Sequence, residues 1–163
     1  MNVTVFLGSG SDFDVIKDGL EILKEFGVPF DLEVTSAHRS PERTLKLIRK
    51  AEEKGTEVFI AVAGKAAHLA GVVAAHTVRP VIGVPVESPV LAGMDALLST
   101  VQMPKGIPVA TVTLGRTGGA NAALLAVQIL ALTDAGLRKK LAAHRKKMAE
   151  EVEAISRKVQ EKA

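Results

Sequence analysis

The sequence contains no cysteine, tryptophan or tyrosine, and aromatic residues make up only 3% of its 163 residues. Without cysteine the chain can form neither disulfides nor thiolate metal sites, and it cannot use a cysteine nucleophile. The core must therefore be built from Val, Ile, Leu and Ala, within a hydrophobic content of 47%. Charged residues make up 24%, and this balance is typical of a soluble globular protein rather than a disordered one.

Long apolar stretches and a basic leader are also missing from the sequence. No run is long enough to span a bilayer, and the first strand-like run begins at Val3, so we expect a cytoplasmic protein with no membrane contact. The net charge is +3, and basic residues cluster after Arg138. Because Glu150 and Glu151 follow in the same segment and aromatics for base stacking are lacking, we predict no nucleic-acid partner.

Strand-like and helix-like patterns alternate along the whole chain, which is typical of repeated βαβ units. The strand-like runs are almost continuously apolar, as expected when helices cover both faces of a sheet. We predict a three-layer αβα sandwich with a central parallel sheet, flavodoxin-like or Rossmann-like, in a single domain. The α/β core would span residues 1–134. The expected strands are 3–7, 30–35, 57–63, 80–86 and 108–113, and the expected helices are 13–26, 41–54, 68–75, 92–101, 121–132 and 135–161.

Residues 135–163 form the predicted C-terminal helix, which would extend beyond the core. Its apolar residues recur at helical spacing and form one stripe, with charged residues on the remaining faces. An uncovered stripe of this length indicates a protein interface, so we predict a homo-oligomer. The stripe consists of Leu137, Leu141, Met148, Val152, Ile155 and Val159.

Ligands of open parallel sheets bind at the carboxyl ends of the strands, so the loops after the strands carry the functional information. The first such loop is Gly8-Ser9-Gly10-Ser11-Asp12. It lacks the third glycine of a dinucleotide fingerprint and the lysine of a P-loop. Two interpretations remain open: a loop that binds a ligand at a helix N-terminus, or a tight turn in which Ser11 or Asp12 caps the helix.

The second loop runs from Ser36 to Pro41 and brings His38 and Arg39 together. Arginine and serine at the start of a helix favour anion binding, and histidine is the usual proton carrier at neutral pH. Ser40 would cap the helix that Pro41 begins. The alternative is an exposed polar loop without a function.

The third and fourth loops are less specific. Residues 63–69 (AGKAAHL) are small enough to let a planar group lie against the backbone, and His68 is either a structural residue or a ligand contact. Residues 88–106 form a long loop, which by itself indicates no chemistry. We interpret His76 and His144 as structural or surface residues. No histidines or carboxylates have metal-ligand spacing, so we predict no metal site.

Six segments resemble, in order, the bacterial N5-carboxyaminoimidazole ribonucleotide mutase family. They are GSGSD, SAHRSPER, AGKAAHLAG, GVPV, STVQMPKGIPVATV and ANAALLAVQIL, and the resemblance extends from residue 3 to about residue 132. The resemblance implies a homo-octamer with sites at subunit contacts and a ribonucleotide substrate. It implies that a carboxyl group moves from the exocyclic nitrogen to ring carbon C4 without ATP, metal or organic cofactor.

The resemblance also implies residue roles. His38 would be the general acid and base, and His68 a second catalytic residue. The remaining expected substrate contacts lie in the same three loops. They are Ser9, Ser11 and Asp12 at the nucleotide, Ser36, Ala37 and Arg39 at the phosphate, and Gly64, Ala66, Ala67 and Leu69 around the imidazole and the transferring carboxylate.

Two residues depart from the family pattern: Lys65 replaces a glycine and Ala70 replaces a proline. A related branch carboxylates the bare aminoimidazole nucleotide directly with CO2 and carries a basic residue at the position of Lys65. Direct carboxylation is therefore an alternative function, and a non-catalytic nucleotide-binding module is a more distant one. The pairing of His38 with Arg39 argues against a pure binding module, because phosphate binding needs no titrating group.

Overall fold

Five parallel strands form the central sheet of the computed structural model, which describes residues 2–162. The strand order is β2-β1-β3-β4-β5, so β1 lies between β2 and β3. Every pairing is parallel, as the apolar runs predict. The strands are β1 (Asn2–Leu7), β2 (Phe30–Val34), β3 (Thr56–Gly64), β4 (Val81–Val86) and β5 (Ala110–Thr111).

Helices cover both faces of this sheet, which confirms the predicted three-layer αβα sandwich. One core packs α1 and α5 against the sheet, and a second core packs α2 and α3 against its other face. A short 3-10 helix (Gly10–Asp12) precedes α1. The helices are α1 (Phe13–Phe26), α2 (Pro41–Glu53), α3 (Leu69–Ala74), α4 (Met94–Val101), α5 (Gly115–Leu130) and α6 (Ala135–Gln160).

Alternate residues of each central strand enter different cores. In β1, Val3 and Val5 face the α1–α5 side, whereas Phe6 faces the α2–α3 side and stacks on Phe59 with ring centroids 5.7 Å apart. All four side chains are fully buried. Burial on both faces explains why the strands read as continuous apolar runs rather than alternating ones.

Two elements differ from the sequence-based prediction. The sequence predicts β5 over 108–113, but the strand contains only Ala110–Thr111, because it is an edge strand that pairs with β4 at two positions. The predicted start of α5 is residue 121, but the helix begins at Gly115. Glycines normally weaken helices, yet the glycine-rich segment before Asn121 is helical because the packing of α5 requires it.

Helix α5 crosses α1 with almost no space between the two backbones. A Cβ added at Gly119 would overlap the carbonyl oxygen of Val15 and lie 3.0 Å from its carbonyl carbon. A Cβ added at Gly19 would lie 3.0 Å from the carbonyl carbon of Gly119. Since no side chain fits between the helices, tertiary packing selects glycine here against its low helix propensity.

Helix α6 packs on the core only through its first turns. Leu137 is buried, Leu141 packs against the same cluster, and Lys140 donates a hydrogen bond to the Phe26 carbonyl at 2.7 Å. From Arg145 to residue 162, every residue except Ala154 is exposed. Among residues 2–162, no helix has the length and apolar character needed to cross a bilayer.

Candidate active site

A cleft of about 720 Å³ opens at the carboxyl ends of β1 to β4. This is the position that the parallel sheet predicts for a ligand. Eleven of the twelve predicted site residues line it, and Ala67 of the third loop does not, because it is buried in the core. The eleven are Ser9, Ser11, Asp12, Ser36, Ala37, His38, Arg39, Gly64, Ala66, His68 and Leu69.

The first loop is held by its own serines. The Ser9 hydroxyl accepts hydrogen bonds from the Ser11 amide at 3.3 Å and the Ser11 hydroxyl at 2.9 Å. Ser9 therefore caps the 3-10 helix, and the alternative in which the side chain of Ser11 or Asp12 caps α1 is not observed. Asp12 occupies the N-cap position of α1 but makes no side-chain cap hydrogen bond.

Asp12 is the one buried carboxylate of the cleft, with 7% of its surface exposed. Burial raises the pKa of this carboxyl above its ordinary value of 3.8, and hydrogen bonds from the Ser9 backbone and the Ser11 side chain oppose the rise. A desolvated carboxylate at the bottom of a cleft is a strong acceptor for ligand hydroxyl groups.

The second loop is folded around Ser36. Its hydroxyl accepts hydrogen bonds from the Arg39 amide at 3.1 Å and from Arg39 Nε at 3.5 Å. The Ser40 hydroxyl accepts from the Ser36 amide and donates to the Ser36 carbonyl, both at 3.2 Å. Ser40 is the N-cap residue of α2 but makes no cap hydrogen bond with its side chain, so that predicted detail is wrong.

Arg39 links the first two loops. Its Nη2 donates to the carbonyl oxygen of Gly8 at 3.4 Å, which places the guanidinium beside the first loop. Within residues 2–162 it forms no ion pair with a carboxylate. Its charge is therefore available to an anionic ligand in the cleft.

The third loop brings His68 against His38. His38 Nε2 lies 2.9 Å from His68 Nδ1, and the rings meet edge to face with centroids 4.9 Å apart. One of these nitrogens must carry a proton for the contact to be a hydrogen bond. The two imidazoles, 30 positions apart in sequence, therefore hold a proton between them at the cleft.

The site predicted from the sequence omits the loop after β4, which also lines the cleft with Glu87, Ser88 and Pro89. Ser88 is buried and donates to the Asp95 carboxylate at 3.4 Å. The sequence does carry a signal for it, because Ser88 follows a strand in the same way as Ser9 and Ser36. His76 and His144 lie outside the cleft: His76 Nδ1 is 2.8 Å from the Val72 carbonyl, and His144 packs on the Phe26 ring.

The family model described as AIR carboxylase matches residues 2–151. The chain belongs to this family. A protein of Pyrococcus horikoshii named N5-carboxyaminoimidazole ribonucleotide mutase is 50% identical over 159 residues, or 98% of this chain and 89% of the relative. The protein of the same name from Methanocaldococcus jannaschii is 51% identical over 98% of both chains. The resemblance drawn from the six sequence segments is thus confirmed.

A solved structure is similar to this chain over nearly its whole length. The crystal structure of PurE from Treponema denticola superposes with a TM-score of 0.88 at 28% identity, covering 96% of this chain and 97% of that one. The two chains therefore share the α/β sandwich fold. Among residues 2–162, no three histidine or carboxylate side chains cluster closely enough to hold a metal ion.

Proposed function

We propose that this AIR carboxylase family member is an N5-carboxyaminoimidazole ribonucleotide mutase of de novo purine biosynthesis. It converts N5-carboxyaminoimidazole ribonucleotide into 4-carboxy-5-aminoimidazole ribonucleotide. The observation that carries this proposal is the His38–His68 pair, 2.9 Å apart, in a cleft that also holds Arg39, which forms no ion pair within residues 2–162. The names of relatives about 50% identical over nearly the whole chain support it.

The reaction redistributes one carboxyl group and one proton. The bond between the exocyclic nitrogen and the carboxyl carbon breaks, CO2 leaves, and the nitrogen takes a proton together with the bonding electron pair. Ring carbon C4 then attacks the CO2, and a base removes the C4 proton. Because the atoms and electrons balance without a further reactant, the protein must supply only a proton, a base and a closed space for CO2.

The histidine pair suits both proton steps. The pair begins with one proton more than its neutral form and gives that proton to the exocyclic nitrogen. The neutral pair, whose shared proton stays in place, then accepts the proton from C4. The pair ends in the protonation state in which it began. In this scheme His38 faces the substrate, and His68 positions it and exchanges a proton with it through Nδ1.

The polar groups around the pair suit the nucleotide. Arg39 and Ser36 bind the phosphate, because a guanidinium and a hydroxyl at a helix start match a dianion. Ser9 and Ser11 add hydroxyl donors from the first loop, and the buried Asp12 accepts hydrogen bonds from ribose hydroxyls. The small apolar wall is formed by Ala37, Gly64, Ala66 and Leu69, and Ala67 is buried in the same loop as the last three.

An assay with purified protein tests the function directly. The N5-carboxylated nucleotide should be converted without ATP, and the bare aminoimidazole nucleotide at low CO2 should be carboxylated much more slowly. Fast carboxylation of the bare nucleotide, with no conversion of the N-carboxylated one, would assign the chain to direct carboxylation instead. Binding of the nucleotides with turnover of neither would indicate a binding module.

The same proposal includes a cytoplasmic homo-octamer, built from one domain whose residues 135–163 pack against neighbouring subunits. The observation is the uncovered stripe of α6: Met148, Val152, Ile155 and Val159 are 50%, 66%, 61% and 61% exposed. Apolar area of this extent on a helix outside the core is typical of a subunit interface.

Charged substitutions on the stripe test the assembly. Val152→Glu combined with Ile155→Glu should dissociate the oligomer, since both side chains are exposed and contribute little to folding within one subunit. Ala149→Glu combined with Ser156→Glu adds the same charge beside the stripe and is the matched control. Light scattering should report smaller particles for the first variant only, and an unchanged mass would contradict this use of α6.

A further inference from the structure

Lys65 has a backbone conformation that a lysine rarely adopts. It follows β3 directly and has a φ of 57°; within residues 2–162, Lys65 and Ala92 are the only residues other than glycine with positive φ. The Cβ of an L-residue is disfavoured there, and glycine or asparagine would fit with less strain. Folding alone therefore gives no reason for a lysine at this position.

The ammonium group of Lys65 has no partner in the described part of the chain. The side chain is exposed, lines the cleft, and makes no ion pair or hydrogen bond with any of residues 2–162. The carboxylates that line the same cleft are Asp12 and Glu87, and neither pairs with it. Its charge is thus as available to a ligand as that of Arg39.

The sheet order separates these two cations. Arg39 follows β2 and contacts Gly8 at the end of β1, whereas Lys65 follows β3 on the side of β4. The first loop, which ends β1, lies between them because β1 is between β2 and β3. The cleft therefore has Arg39 on one side of the first loop and Lys65 on the other.

The substrate of the proposed reaction has two anionic ends, a phosphate and a carboxyl group. Arg39 lies beside the serines that suit the phosphate. Lys65 lies in the same loop as His68, which belongs to the histidine pair at which the carboxyl group is transferred in the proposed reaction. We propose that Lys65 pairs with the transferring carboxyl group and is a binding residue for that group. This inference rests on the proposed function and names the group that Lys65 recognises.

This pairing stabilises the bound substrate and product rather than the transition state. The ammonium pairs with the carboxylate of both substrate and product, which are anions, but has no such partner while the group is neutral CO2. An interaction that is weakened on the way to CO2 lowers KM and also lowers kcat, because it stabilises the ground state more than the transition state. Loss of the charge should accordingly raise KM and raise kcat with it, so that kcat/KM changes little.

Two ligands and two variants isolate the contact. Lys65→Asn removes the charge and accepts positive φ, and Lys65→Arg keeps the charge. Titration calorimetry at low salt would measure binding of 4-carboxy-5-aminoimidazole ribonucleotide and of 5-aminoimidazole ribonucleotide, which lacks the carboxyl group. Lys65→Asn should bind the carboxylated ligand about tenfold more weakly. Its affinity for the bare ligand should be unchanged, and Lys65→Arg should bind both ligands as the original protein does.

Equal weakening for both ligands would overturn the inference, because Lys65 would then contact the shared phosphate or ribose. Unchanged affinity for both would overturn it as well. The binding comparison is independent of turnover, so a protein that discriminates between the ligands through Lys65 but converts neither would refute the mutase function and leave this contact in place. A protein that binds neither nucleotide would refute both.

Discussion

Gly119→Ala is the substitution for which the structure predicts the largest effect from the smallest chemical change. The added methyl group would lie 3.0 Å from the carbonyl carbon of Val15 and 3.1 Å from the Cα of Ile16, and it would overlap the Val15 carbonyl oxygen. These are backbone atoms, so no rotamer change can relieve the contact. Carbon atoms pack at about 3.5–4.0 Å, so the carbon contacts alone require α1 and α5 to separate by about 0.5–1 Å, and the overlap with the oxygen requires more.

Overpacking of this kind costs about 1–3 kcal/mol, and the rigid partner places Gly119→Ala near the upper end. For a domain of this size, about 3 kcal/mol lowers Tm by about 6–12 °C. The displacement also reaches the site, because Val15 and Ile16 lie within one turn of Asp12 in the first loop. A shift of about 1 Å in a positioning group can cost on the order of 100-fold in rate, so we expect activity to fall together with stability.

Urea unfolding at equal protein concentration measures this effect, since assembly makes stability depend on concentration. The control is Gly10→Ala, where an added Cβ meets nothing within 4 Å and should leave the unfolding midpoint almost unchanged. An unchanged midpoint for Gly119→Ala would refute the reasoning, because it would mean that a methyl group fits between α1 and α5.

Three further predictions concern the cleft. His38→Asn should lower turnover about 10²–10⁴-fold and leave nucleotide affinity unchanged. Adding His68→Asn should lower turnover little further, because the two histidines act as a unit. Near-normal turnover of His38→Asn would show that His38 takes no part in the mechanism. Arg39→Ala should weaken nucleotide binding in calorimetry by about 1.5–3 kcal/mol, and unchanged affinity would place the phosphate elsewhere. Burial raises the pKa of Asp12 in the folded protein above its ordinary value of 3.8. Protonation of this carboxyl therefore stabilises the fold at a pH below 3.8, and this stabilisation is lost as the pH rises through the raised pKa. Asp12→Asn should therefore become more stable relative to the original protein as the pH rises from about 4 to 7, while binding nucleotide less well; a pH-independent difference in unfolding midpoint would contradict the assigned burial.

The sequence predicts the sheet and α1 well because their signals are local and strong. The central strands are apolar on both faces and have a glycine or proline next to at least one end, so their bounds are predictable to within about one residue. Helix α1 ends as predicted because Gly27 adopts a φ of 74°, a conformation that favours glycine. The predicted start of α5 is too late because glycine has a low helix propensity. The glycines at the start of α5 are selected by contact with α1, which lies about 100 positions away in sequence.

The site is predictable in its location and less so in its contacts. Ligands bind at the carboxyl ends of parallel strands, and this rule places the three loops together from the amino-acid sequence alone. It does not orient side chains within them. The approach of His38 to His68 depends on two separate loop backbones, and Ser40 turns back to Ser36 because both its donor and its acceptor find partners there.

The places where this chain breaks local rules are concentrated at one end of the sheet. Asp12 is a buried carboxylate with a raised pKa, Lys65 is a lysine with positive φ, and Ala92, with a φ of 48°, lies in the loop that begins with the cleft residues after β4. Each of these features costs folding free energy, and sequences normally avoid such costs unless function requires them. If they are kept for the ligand, substitutions that relieve the first two should stabilise the free protein and weaken nucleotide binding at the same time. A variant that gains stability at Asp12 or Lys65 with no loss of affinity would show that local strain does not mark the site in this chain.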